Sequence, residues 1–271
     1  MEPRGVMGGL YRVTEWIMRL SVINLLWILC GIPFFLFLFM SFVTLVQGTV
    51  ADEDLLGFVV MIGAGLAVLA PFTFFPSTAA MFTVARKWVT GEVDVPLIKT
   101  FFRGYKENFK QSVFGGLVYT ILIVILIIDY YFFIGSENGR ILSGIFIALI
   151  VLGFVSMLNF FSMQVHFHMK TFQVIKNSLL ITIGKPLRSI TTAILVAFIM
   201  YMSFTQFTWL LVFFTGSLVA VVSYWNFNLI YVKVQQQMED MKKNEEEEVE
   251  IAAEMDREDL VKSDYNDKES K

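Results

Sequence analysis

Long apolar runs alternate with short polar connections along the whole chain. Apolar residues dominate 20–46, 58–85, 113–134, 141–165 and 190–231, and each run meets or exceeds the ~20 residues an α-helix needs to cross a bilayer. The last run is too long for one span and too short for three, so it divides near 203–208, inside the polar piece MSFTQFT. Six spans follow. The short turn GSENGR joins the third and fourth runs as an antiparallel hairpin. In the first run only Asn24 and Pro33 interrupt the pattern, which predicts tilt, a bend at Pro33 or an exit before Val46. Pro71 and Pro76 each remove a backbone donor from the second run, so it bends there, and Ser77, Thr78, Ala79 and Ala80 let a neighbouring helix come close. Arg86, Lys87 and Trp88 then stop that run at the membrane interface. The predicted fold is all-α: a polytopic transmembrane bundle of six spans arranged as three hairpins, with interfacial amphipathic helices, over residues 1–231.

The connections carry a second period. Residues 5–19 place Arg12, Glu15 and Arg19 apart from Leu10, Val13 and Ile17, as in a helix lying on a membrane surface. Residues 97–110 do the same more clearly. Leu97, Ile98, Phe101, Phe102, Tyr105 and Phe109 share one face, and Lys99, Arg103, Lys106 and Lys110 a strip opposite. Such a helix either lies flat and reaches anionic lipid headgroups, at about 1 kcal/mol per basic residue, or packs its apolar face on the bundle. With Arg86 and Lys87, these four are the candidate headgroup-binding residues. KTFFRGYKENF at 99–109 is echoed by KTFQVIKNSLL at 170–180, and YRVTEWIMRL precedes the first hairpin in the same way. The chain thus reads either as three units of surface helix plus two spans, or as shared composition without duplication.

Charge orients the pattern. Thirteen Lys and Arg, from Arg4 to Arg188, fall on connections of one side and only Arg140 on the other, which predicts both termini in the cytoplasm. The hydrophobic share is 56%, charged residues are 17% and mean hydropathy is +0.66, a balance that excludes an ordinary soluble domain. The net charge of −3 hides an asymmetry, because 239–271 holds 14 acidic and 6 basic residues. Residues 232–271 form an acidic cytoplasmic tail, helical at first and disordered beyond Asp256. It is either a solvated appendage or a docking tail for a basic partner.

Candidate chemistry is sparse. Cys30 is the only cysteine and sits in the first apolar run, as a small buried hydrophobe does. That run is too long for a signal-peptide core of ~7 to 15 residues, and Leu29 before Cys30 departs from a lipoprotein signal. His166 and His168 point apart on a helix and cannot chelate one ion together. No phosphate loop, dinucleotide fingerprint or nucleophile turn occurs. The expectation is no enzyme, no metal, no cofactor and no nucleic-acid partner. Asp129 in LIIDYYFF is either an intramembrane functional acid or an interface carboxylate beside an aromatic belt. The uncharged polar residues Asn24, Ser77, Thr78, Asn159, Ser162, Gln164, Asn226 and Asn228 all fall toward the cytoplasmic ends of their spans. They either line a vestibule or hydrogen-bond across helices.

GLYRVTEWIMRLSVINLLWIL and FPSTAAMFTVARKWVTGEVDVPLIKTFFRGYKENFKQS resemble the YesL family of bacterial integral membrane proteins, with a likeness covering most of the first 230 residues. The resemblance carries no catalytic residues. It implies a plasma-membrane location and, because members are often encoded beside sugar uptake and polysaccharide degradation systems, a role accessory or regulatory to an ABC-type carbohydrate transporter. The alternative is a small-solute transporter or permease working alone.

Overall fold

The computed structural model describes residues 6–48, 50–51, 54–134 and 139–269. Among these the chain is helical apart from short connections: α1 Val6–Cys30, α2 Ile32–Val46, α3 Leu55–Leu69, α4 Phe75–Val89, α5 Leu97–Ile134, α6 Gly139–His166, α7 Thr171–Gly184, α8 Pro186–Tyr201, α9 Trp209–Phe213 and α10 Thr215–Glu269, with π-helical turns at Ala70–Phe74 and Met202–Gln206. Six stretches are long and apolar enough to span a bilayer: Gly8–Cys30, Leu55–Val89, Leu97–Ile134, Ile141–His166, Pro186–Gln206 and Thr215–Glu248. The protein is therefore an all-helical, multi-pass membrane protein. Its chain divides into two compact units, Met1–Phe227 and Asn228–Lys271.

The first unit is built around α4. Its FPSTAAMFTVA stretch combines small residues with a few large apolar ones, and every residue from Phe75 to Ala85 is buried. Helices α1, α5 and α6 pack on it. From α6, the ring of Phe161 lies 5.1 Å from Phe75 and 5.4 Å from Phe82, spacings at which offset aromatic pairs attract. From α5, Gly116 comes so near that a Cβ there would meet the Pro71 Cα at 2.8 Å. The small residues are thus what lets the backbones touch.

Several expectations are corrected in detail. The amphipathic stretch 5–19 is no separate surface helix: the described part runs on into the first span as α1, with the Ser21 hydroxyl donating to the Ile17 carbonyl at 2.8 Å across the expected boundary. No Gly or Pro stands between Arg12 and Leu29 to stop it. The run 20–46 is instead broken at Gly31 (φ −99°, ψ 7°), and Pro33 sits in the first turn of α2, where its missing N–H has no intrahelical partner to lose. The predicted bend at Pro71 takes the form of the π-helical turn Ala70–Phe74, which absorbs the lost donor without ending the helix.

The segment 97–110 is also not a flat surface helix. It is the beginning of α5, a 38-residue helix about 57 Å long at 1.5 Å per residue. Thr100, Phe101 and Gly104 are buried while Ile98 and Phe102 are exposed, so part of the expected apolar face packs on the bundle. Among the described residues, of the three stretches expected as connecting surface helices α7 alone is a helix separate from the span that follows it. The last apolar run breaks twice: at Phe207 (φ −133°, ψ 72°), inside the expected division, and again at Phe214 (φ −140°, ψ −27°), which the pattern does not signal. In the second unit α10 is helical to Glu269, past Asp256 where disorder is expected. The turn at 135–138, and residues 49 and 52–53 of the acidic connection, lie outside the described residues.

Candidate functional site

In lipid a broken helix has no water to satisfy its free backbone groups, so each break has to be answered by a side chain. Asn24 on α1 answers the break at Phe214. Its amide donates to the carbonyls of Leu211 at 3.2 Å and Val212 at 2.7 Å, at the end of α9, and its carbonyl oxygen accepts the Ser217 N–H of α10 at 3.0 Å. The Thr215 hydroxyl donates to Ser203 Oγ at 2.7 Å, tying the same junction to the π-helical turn after α8. Gly216 permits this fit, since a Cβ there would meet the Trp27 ring at 2.6 Å and Asn24 Oδ1 at 3.0 Å. Trp27 in turn donates to Thr78 Oγ1 on α4 at 2.9 Å.

Three more of the polar residues form other junctions between helices. Asn159 of α6 donates to Thr182 Oγ1 of α7 at 2.9 Å. Gln164 of α6 donates to Ser112 Oγ at 2.8 Å and to the Asn108 carbonyl at 3.0 Å, both on α5. Asn226 of α10 donates to the Arg188 carbonyl at 2.9 Å and to Thr192 Oγ1. Ser77 bonds back to the Phe74 carbonyl in the π-helical turn before α4, and Ser162 to the Leu158 carbonyl of its own helix. Asn228 lies on α10 in the second unit and is partly exposed. All but Asn228 are buried. Asn24, Asn159, Gln164 and Asn226 thus bond across helices. Asp129 is partly exposed on α5.

Sequence reasoning passed over a hydroxyl cluster. The Tyr119 OH of α5 lies 2.8 Å from Ser156 Oγ of α6 and 2.7 Å from Ser178 Oγ of α7, with all three residues buried. Ser and Thr in spans ordinarily bond to their own preceding turn, as Ser178 does to Ile175. Nothing in the pattern distinguishes those that also reach a neighbour.

At the end of the unit where α4 stops, the charged residues are drawn inward. Arg19, nearly buried, donates to the Val93 carbonyl and to Glu15, and pairs with Asp94 at 2.6 Å. Trp16 packs edge-on against Trp88 at 5.3 Å. Arg86 donates to the Val165 carbonyl in the last turn of α6, where a cation also suits the helix dipole. Lys87 pairs with Glu92 at 2.6 Å. Of the six candidate headgroup residues, Arg86 and Lys87 are thus engaged inside the chain, whereas Lys99, Arg103, Lys106 and Lys110 are exposed on α5. His166 Nδ1 lies 2.6 Å from the Tyr224 hydroxyl, a contact between α6 and α10, and His168 is exposed.

Known sequences are similar to this chain. The profile of the family described as "Protein of unknown function, DUF624" matches residues 20–130. The uncharacterized protein YteU of Bacillus subtilis (strain 168) is 30% identical over 242 residues, which cover 87% of this chain and 91% of YteU. The chain belongs to the DUF624 family. A second relative, the uncharacterized protein YesL of the same organism, is 28% identical over 217 residues, 80% of this chain and 87% of YesL. No solved structure matches the chain. Within the DUF624 match lie Asn24, Ser77, Thr78 and the basic strip of α5, while Asn159, Gln164, Asn226 and Asn228 fall beyond it.

Proposed function

We propose that this protein is a non-enzymatic component of a bacterial plasma membrane that assists or regulates an ABC-type carbohydrate uptake system, with both termini in the cytoplasm. The observation that carries the reading is the use of the polar side chains inside the spans. Asn24, Asn159, Gln164 and Asn226 each join two helices or bridge a helix break, which builds a rigid scaffold, whereas a carrier needs such groups free to exchange water for solute. The carbohydrate element draws on the family resemblance and on the company its members keep. The orientation draws on the thirteen-to-one distribution of Lys and Arg. Crosslinking in the native membrane followed by affinity purification of the full chain in gentle detergent tests the assignment. Permease or ATPase subunits of a carbohydrate importer are expected in the eluate, and their absence from an intact, monodisperse preparation overturns it.

A second reading, a small-solute transporter working alone, has one observation in its favour. Discontinuous helices mark the binding sites of many transporters, and α8, α9 and α10 are broken at Phe207 and Phe214. Asn24 fills the second break with a side chain of the protein itself, which favours the scaffold. Proteoliposomes that accumulate any member of a panel of mono- and oligosaccharides would reverse that preference.

A further inference from the structure

The outward face of α5 joins two chemistries on one unbroken helix. Lys99, Arg103, Lys106 and Lys110 are all exposed along its first turns, accompanied by the single acid Glu107, which lies 3.8 Å from Arg103. Below them, Phe114, Ile121 and Ile125 are exposed on the same helix. At 100° per residue these seven positions fall within an arc of roughly 100°. The face turned away from them, with Phe101, Gly104, Gly116 and Tyr119, is buried in the bundle. From Phe114 to Ile125 the helix rises about 16 Å, close to half of the ~30 Å hydrocarbon thickness of a bilayer. The cations therefore stand one turn above an apolar stripe as deep as one leaflet. Arg86 and Lys87, engaged with Val165 and Glu92, have no part in it.

We propose that this face of α5 is a binding site for anionic phospholipid, with headgroup phosphates drawn to the strip of Lys99, Arg103, Lys106 and Lys110 and the acyl chains lying along Phe114, Ile121 and Ile125. Charge complementarity selects the occupant. Four cations against one carboxylate attract a phosphodiester, and the stripe beneath accepts hydrocarbon where a soluble phosphate compound has nothing to offer. The site does not depend on the proposed carbohydrate role, nor on which leaflet the strip faces.

The test uses the purified full chain in a non-ionic detergent, titrated with dioleoylphosphatidylglycerol or dioleoylphosphatidylcholine, with retained lipid counted by native mass spectrometry. The wild type is expected to retain the anionic lipid preferentially. Replacing all four residues (K99Q, R103Q, K106Q, K110Q) is expected to reduce that preference by roughly tenfold or more, while K176Q with K185Q, on exposed connection residues elsewhere, leaves it unchanged. Glycerol phosphate, the headgroup without its tails, is expected not to displace the lipid. Retention of the preference in the fourfold variant overturns the proposal, as does an equal loss in the K176Q/K185Q control or full displacement by glycerol phosphate. If the fourfold variant does not stay monodisperse, the single reversal K106E answers the question, with a smaller loss expected and no loss counting against the site.

Discussion

Asn24 is a single amide in an apolar run, yet it holds three backbone groups at a helix break that have no water to turn to. A side-chain bond between membrane helices is ordinarily worth about 0.6 kcal/mol, because the partners find others when it is lost. The groups around Phe214 have no second partner of that kind, so their loss approaches the ~1 to 3 kcal/mol of a buried unsatisfied group. Asn24→Leu should therefore destabilise more than Asn159→Leu, which removes one bond to Thr182; thermal unfolding in detergent compares the two, and equal shifts would contradict the bridging role. Glycines divide in the same way. Gly116→Ala forces a methyl against the Pro71 backbone at 2.8 Å, which cannot swing aside, whereas Gly144 has nothing within 4 Å of its added Cβ. The first is expected to lower the melting temperature of the detergent-solubilised protein. The second should raise it slightly, since Ala is favoured over Gly in a helix by ~0.5 to 1 kcal/mol.

Among the elements, the connection from α4 to α5 is fixed by a residue of α1. Arg19 reaches the Val93 carbonyl and Asp94 from the first helix, so a loop of ordinary polar composition is pinned against the bundle. Since the Asp94 side chain is 93% exposed, its ion pair is screened and contributes little; the carbonyl bond and the packing of a nearly buried guanidinium carry the contact. Arg19→Gln should thus speed cleavage after Glu92 by a glutamate-specific protease several-fold, while Asp94→Asn leaves the rate nearly unchanged. Similar loss in both variants would assign the effect to charge instead. The continuity of α5 rests on the absence of proline: none stands between Leu97 and Ile134, its glycines Gly104, Gly115 and Gly116 are buried against neighbouring helices, and Ser112 is held by Gln164 of α6. A helix that looks amphipathic over four turns need not end where the amphipathic pattern ends.

At the scale of the whole molecule, orientation is the property most open to direct measurement. In a Cys30→Ser background, a cysteine at Ile141, exposed at the start of α6, should react with a membrane-impermeant maleimide in intact cells. A cysteine at Leu187, exposed at the start of α8, should react only after permeabilisation. The reverse pattern would invert the assigned topology. The number of stretches apolar enough to cross a bilayer and the close packing at Ser77–Thr78–Ala79–Ala80 were legible in the sequence, whereas the first such stretch lies at Gly8–Cys30 and not at 20–46; transfer of apolar residues into lipid is a local quantity that adds along the chain. The break at Phe214, the Tyr119–Ser156–Ser178 cluster and the inward turn of Arg86 toward Val165 were not. Hydropathy counts what a residue is, whereas a hydrogen bond between helices depends on which carbonyl or hydroxyl arrives opposite it. The sequence by itself determined that this chain belongs in a bilayer and that six of its stretches are apolar enough to cross one; only the tertiary structure decided that its polar residues close upon one another, because in lipid an unpaired polar group is costly and its partner is chosen by helix packing.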